Sequence, residues 1–238
     1  MQRCVEPEWL DELSPEDPRA IRSRRDMQRV NIWMHQVGIM QRALTGRYGQ
    51  YAPHKLLELG AGDGTFMLRL ALRLASHWKN VKVVLLDRQN IVSHETREGF
   101  KALGWEVETI TADAFDYLEQ ARYQAFDVIT ANLFLHHFQH EKLDQLLLHA
   151  ARITNLFVAC EPRRALPAVT GSRLLWAIGC NEVSRHDAVV SVRAGFAGQE
   201  LSALWPKQAN WRLREQAAGL FTHCFVAQRI IEQRESAK

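Results

Sequence analysis

Residues 56–65 read Leu56-Leu57-Glu58-Leu59-Gly60-Ala61-Gly62-Asp63-Gly64-Thr65, an apolar run that breaks into three glycines at alternate positions and continues as an amphipathic segment. A strand, a sharp turn and a helix follow from that order. Glycine lets the backbone enter conformations that other residues avoid, and it lets a ligand come close to the turn's amides. Two familiar nucleotide-binding turns do not fit. The dinucleotide fingerprint G-x-G-x-x-G needs its third glycine where Thr65 stands, and the P-loop needs a glycine there followed by Lys and Ser or Thr, where Phe66 and Met67 stand. No Lys or Arg lies in the turn to neutralise a phosphate, whereas Glu58 and Asp63 supply carboxylates. Such a turn suits a ligand that carries positive charge.

Outward from the turn, strand-like apolar runs at 55–59, 81–86, 106–110, 126–131 and 155–160 alternate with helical segments at 65–77, 91–103, 115–120 and 140–152. This alternation predicts βαβ units and a parallel sheet. Near the end of the chain, runs at 211–216 and 221–227 are separated only by Ala217-Ala218-Gly219-Leu220, too short for a crossover helix, so they are expected to pair as an antiparallel hairpin. The predicted fold is α/β: a doubly wound, seven-stranded, mostly parallel sheet with an antiparallel last strand. Residues 1–17 are acidic and carry Pro7 and Pro15, which reads as a surface lead-in, while 20–44 places Ile21, Val30, Trp33, Met34, Val37, Ile39 and Met40 at roughly helical spacing, enough for one or two helices. The chain thus divides into an N-terminal lead-in and helical cap at 1–53 and a main domain at 54–238. Within the latter, 162–206 interrupts the strand pattern at the carboxyl edge of the sheet, where an insertion is expected to act as a substrate lid.

Composition narrows the function classes. The 238 residues, 47% of them hydrophobic, suffice for a full core, and a net charge of +3 is too balanced for a nucleic-acid glove. Cys4, Cys160, Cys180 and Cys224 are far apart and contain no C-x-x-C pair, so reduced thiols are expected rather than a zinc framework or disulfide scaffold. Glu6, Glu8, Asp11 and Glu12 stand where a signal peptide needs a basic start and an apolar core, and no run reaches membrane-spanning length. A cytoplasmic protein with no membrane span is expected.

The spelling from Glu58 to Gly64 closely resembles the first motif of class I S-adenosylmethionine-dependent methyltransferases, a family with a Rossmann-like fold. The resemblance implies S-adenosyl-L-methionine as cofactor, held by Glu58, Gly60, Ala61, Gly62, Asp63 and Gly64. It continues in chain order. Asp87 closes the second strand, about 20 residues on, where the family binds the ribose hydroxyls, with Arg88 beside it. Asp113 and Ala114 follow the third strand as the adenine-contacting loop, and Asn132 and Leu133 end the fourth. Enzymes that methylate base amino groups typically have Pro-Pro and an aromatic after that Asn; the Leu133-Phe134-Leu135-His136-His137 found here is similar instead to branches that act on small molecules, including quinone-pathway and phenolic substrates.

Methyl transfer from a sulfonium is an in-line displacement that needs contact between donor and acceptor and exclusion of water. Where the acceptor is a hydroxyl, an imidazole can take its proton, and His136 and His137 are the candidate base or orienting residues, one of the pair necessarily pointing away from the cleft. No metal site is expected. Trp33, Trp176, Arg193 and Phe196 are the candidate substrate-pocket residues. Two other readings compete: an RNA or protein methyltransferase, motivated by Arg22, Arg24, Arg25 and Arg29, and a cofactor-binding regulatory domain without catalysis. The motifs leave the acceptor and the oligomeric state to regions outside them.

Overall fold

Leu56, Leu57, Leu59, Val83 and Leu86 are buried with their neighbours of both parities, as strands covered on both faces require. In the computed structural model, which describes residues 1–49, 51–121, 126–207 and 210–230, these runs become β1 (Lys55–Leu59), β2 (Lys82–Asp87), β3 (Glu106–Thr111), β4 (Phe126–Asn132), β5 (Thr154–Pro162), β6 (Trp211–Ala217) and β7 (Thr222–Arg229). They form one sheet in the order β3-β2-β1-β4-β5-β7-β6. β1 to β5 pair in parallel, and β7 runs antiparallel to both β5 and β6. The order reverses between β1 and β4, the place where such sheets open a crevice beyond their carboxyl ends.

The crossover helices are α4 (Thr65–Leu74), α5 (His94–Ala102), α6 (Ala114–Gln120) and α7 (His140–Ile153). On one face of the sheet, Met67, Leu70, Trp78, Phe100 and Trp105 close a core over β1 and β2; on the other, Leu118, Leu143, Leu147, Trp205 and Phe225 close a second over β4, β5 and β7.

Two expectations change, whereas the 20–44 stretch, expected to hold one or two helices, holds two, α2 (Pro18–Trp33) and α3 (Gln36–Tyr48). Asp17 caps the first, Pro18 opens it, and His35, at a φ of 53°, breaks the chain direction between them. Residues 1–17 are no loose lead-in. Arg3 donates to Ala194 O at 2.7 Å and to Phe138 O at 2.8 Å, and a short helix α1 (Trp9–Glu12) begins where the Trp9 and Leu10 amides donate to Asp187 at 2.9 and 3.0 Å. Of the acids of this segment, Glu8 is buried against His136 and Ser191, whereas Glu6, Asp11, Glu12 and Glu16 stay exposed. Residues 162–206, expected as a lid, form α8 (Leu166–Arg173), a 3-10 turn, α9 (Glu182–Ala194) and α10 (Glu200–Leu204) packed beside β5 and under the N-terminal segment.

The pin between this segment and β5 is Gly195, where an added β-carbon would lie 2.2 Å from Pro162 O, while the Phe196 amide donates to that same carbonyl at 2.9 Å. Gly195→Ala is therefore expected to cost about 2 kcal/mol through overpacking. Gly46→Ala, inside α3 with nothing within 4 Å of the new methyl, should stabilise by roughly 0.5–1 kcal/mol. Urea unfolding of the two variants checks the contrast; equal effects of the same sign would contradict it.

Candidate functional site

A cleft of about 910 Å³ opens at the carboxyl ends of β1, β2 and β4. Its floor is the glycine turn, with Gly60, Gly62 and Gly64 at φ of 66°, 56° and 73°. Each glycine has its own reason. A β-carbon at Gly60 would lie 2.2 Å from the Phe134 ring and one at Gly64 would lie 2.8 Å from Leu85, whereas Gly62 has nothing within 4 Å and faces open space. Gly62 is thus where a ligand meets bare backbone. Gly64, by contrast, is the residue before α4, packed beneath the turn and absent from the cleft lining.

Side chains from successive strand ends hold the turn. The Gly62 amide donates to Asp87 Oδ2 at 2.8 Å, and the other oxygen of Asp87 accepts from the Gln89 amide at 2.8 Å. Asp63 accepts from the Thr65 amide at 3.0 Å and from Gln28 Nε2 at 2.6 Å, which ties α2 to the turn. Asp113 caps α6 through the Phe115 amide at 2.8 Å while lining the cleft beside Ala114. Ala61, Arg88, Asn132 and Leu133 line it as well, and Leu133 holds a φ of 52°, a conformation costly for a branched residue and found where function over-determines it.

Charge gives the cleft its chemical character. Glu58 is 1% exposed, with Oε2 lacking any partner, and burial followed by the charges of Asp63 and Asp87 pushes its carboxyl well above the ordinary range. Three carboxyl groups converging on a glycine turn repel one another, and a cation placed among them relieves all three. The opposite wall is aromatic: Phe138 stands edge-on to Phe115 and Phe134 at 5.2 and 5.0 Å.

The two histidines part company. His136 is 2% exposed and does not line the cleft; its Nδ1 lies 2.8 Å from Glu161 Oε2 and its Nε2 3.3 Å from Glu8 Oε1. Burial opposes its charge, but the hydrogen bonds and charges of Glu161 and Glu8 together outweigh that and hold its pKa up at about 9. Glu8, also resisted by burial, is drawn down to about 2 by His136, His137 and the Ser191 hydroxyl that donates to it. His137 does line the cleft, with Nδ1 at 3.4 Å from Asp11 Oδ2; burial and the neighbouring His136 charge lower its pKa, so its ring is neutral at neutral pH. Glu8, His136 and His137 bring ligand atoms within 4.8 Å of one another, yet the Glu8 and His136 atoms are already engaged as a hydrogen-bonded pair.

The four substrate-pocket candidates are not brought together. Trp33 and Trp176 are 66% and 62% exposed, Arg193 points to solvent, and Phe196 is buried in the core under the Arg3 guanidinium. Among the described residues, no residue of 162–206 lines the cleft; its outer wall comes from Glu6, Leu10 and Asp11 and from Arg24, Gln28 and Asn31 of α2. Those last three recur at helical spacing, but in a helix that is polar at most of its positions, so nothing in the sequence sets them apart. The basic cluster disperses: Arg24 turns into the cleft, Arg29 pairs with Asp26 at 2.5 Å, and Arg22 donates to Gly179 O at 3.2 Å.

Residues 56–155 match the family model described as a methyltransferase domain. No curated protein matches the sequence. Among solved structures, an O-methyltransferase family protein from Burkholderia thailandensis superposes with a TM-score of 0.61 at 18% identity over 92% of this chain and 62% of its own. The plantazolicin methyltransferase BpumL, solved with a desmethyl plantazolicin analog and S-adenosylhomocysteine (SAH), gives 0.65 at 13% identity over 90% and 91%. The mitomycin 7-O-methyltransferase MmcR gives 0.59 at 17% over 92% and 60%. The chain therefore spans less than two thirds of two of these proteins, and the likeness is one of fold.

The Glu161–His136–Glu8 chain straps residues 1–17 across the cleft. Its His136 part is complete below pH 6.5, the unperturbed value, and fades as the pH rises through about 9; its Glu8 part is complete above pH 4.5 and is lost as the pH falls through about 2. Protease nicking within residues 1–17 is expected to accelerate between pH 7 and 10 before global unfolding does. Glu8→Gln should cost roughly 3 kcal/mol by unpairing a buried charge and should remove that pH dependence; an unchanged digestion profile would contradict the strap.

Proposed function

The chain carries a methyltransferase domain at residues 56–155, and from that premise we propose that it transfers a methyl group from S-adenosyl-L-methionine to a small-molecule acceptor, an O- or C-nucleophile of phenolic or quinone-like type. The observation that carries this reading is the convergence of Glu58, Asp63 and Asp87 on a glycine turn open at Gly62, with Glu58 Oε2 unpartnered. When bound, the cofactor supplies an electrophilic methyl on a sulfonium. Glu58, Gly60 and Asp63 would hold its amino-acid end, Asp87 and Arg88 its ribose, Asp113 and Ala114 its adenine, and Asn132 and Leu133 the span between.

The remaining residues serve the acceptor. Phe115, Phe134 and Phe138 offer flat apolar walls on which an aromatic ring packs, and the strap of residues 1–17 excludes water from it. His137 faces the cleft as a neutral imidazole and is the group suited to take the acceptor's proton; His136, charged and buried between two carboxylates, positions the strap and the loop that bears His137.

Two outcomes test this. In calorimetry with SAH, Gly62→Arg is expected to abolish binding by filling the open face of the turn, and undiminished affinity would overturn the cofactor assignment. With labelled methyl donor, incorporation should appear in the small-molecule fraction, survive chelation of divalent metals, and fall about a hundredfold in kcat for His137→Gln with cofactor affinity unchanged. A loss confined to His136 variants would transfer the proton-accepting role to that residue, and label confined to RNA or protein would overturn the acceptor class.

A further inference from the structure

A second cavity, of about 890 Å³, lies between α3, the end of α4 and the exposed face of β6 and β7. It is separate from the cleft: the α2–α3 junction divides them, with Ile32 and Val37 lining one and Trp33 and Gly38 the other. Its lining holds Arg42, Arg47, Arg73, Arg212 and Arg214, and no Asp or Glu. None of the five forms an ion pair among the described residues.

Three elements far apart in sequence build this cluster. Arg212 and Arg214 stand opposite Gln228 and Val226 in the β6–β7 register, on the strip of sheet face that α3 leaves uncovered. Arg42 from α3 and Arg73 from α4 converge at Gly38, whose missing side chain makes the room: their Nη1 atoms lie 3.6 and 3.3 Å from the point where a β-carbon would stand. Two guanidiniums directed at one point with no carboxylate between them repel, and only an anion turns that arrangement into an attractive one. The field reaches the cavity floor, where the Cys224 thiol is drawn below its usual pKa, first by its hydrogen bond with Cys160 and then by Arg214 and Arg42. Trp33 and Leu220, both exposed, form an apolar lip. The volume is that of a small-molecule site, and a second copy of this chain would bring arginine against arginine.

We propose that this cavity binds a small phosphate-bearing anion, its phosphate clamped by Arg42 and Arg73 at Gly38, with Arg212 and Arg214 across the cavity and any organic body against Trp33. Guanidinium forks match phosphate oxygens in pairs, which explains arginine rather than lysine at every one of these positions.

The test uses the full chain with its cofactor site saturated with SAH, titrated at low salt with pyrophosphate and, separately, with ADP. Binding of either that weakens at least about tenfold in the exposed-surface variant Arg42→Ala/Arg73→Ala, with unfolding midpoint and SAH affinity unchanged, supports the site. Pyrophosphate alone identifies a free-phosphate ligand, and tighter ADP an organic phosphate reaching Trp33. No binding of either probe, or binding equally strong in the double variant, overturns the proposal. So does a ten-nucleotide single strand that binds more tightly than ADP and depends equally on all five arginines, since that is the behaviour of an extended backbone-tracking surface.

Discussion

The buried chain of charge from Glu161 through His136 to Glu8 is the constraint on which the shape of the cleft depends. Glu161 sits at the end of β5 and also accepts the Phe134 and Leu135 amides at 3.1 and 2.9 Å. It thereby sets the loop after β4, which carries Leu133 in its strained conformation and points His137 at the cavity. At the other end, Glu8 draws the N-terminal segment onto α9 and across the opening. A buried imidazolium is tolerated only because carboxylates flank it on both nitrogens, and removing either one leaves a charge with no water to solvate it.

The floor of the cleft works by the opposite principle. There the carboxyl groups of Glu58, Asp63 and Asp87 are crowded and none of them forms an ion pair among the described residues, although Arg24, Arg69 and Arg88 line the same cleft, and a glycine turn brings bare backbone to them. An apoprotein of this design carries unfavourable electrostatics that a positively charged nucleoside removes, so folding leaves energy at the site for binding to recover. The same logic with signs reversed describes the arginine groove on the far side of the α2–α3 junction. A chain that is nearly neutral as a whole thus holds one concavity of each sign.

Much was legible along the chain. The apolar runs, their alternation with helical periods and the short 217–220 connection give the seven strands and the direction of β7, because side-chain period and turn length are local properties. The turn from Gly60 to Gly64 and the acids at the ends of β2 and β3 were legible for the same reason: each is a backbone requirement met within a few residues.

What the sequence by itself determined was therefore the order of elements and the chemistry at strand ends. Tertiary structure alone decided which polar residues are buried together. His136 and His137 are adjacent and chemically identical in the sequence, yet one meets Glu161 and Glu8, 25 and 128 residues away, and the other meets the cleft. Glu8 in the acidic stretch at 1–17 reads as solvated until α9 and His136 supply its partners, Trp33 and Phe196 exchange their expected surroundings for solvent and core, and five scattered arginines become one groove. The physical reason is common to all four: burial and charge pairing are set by neighbours in space, and a polar residue carries no local mark of the partner that will desolvate it.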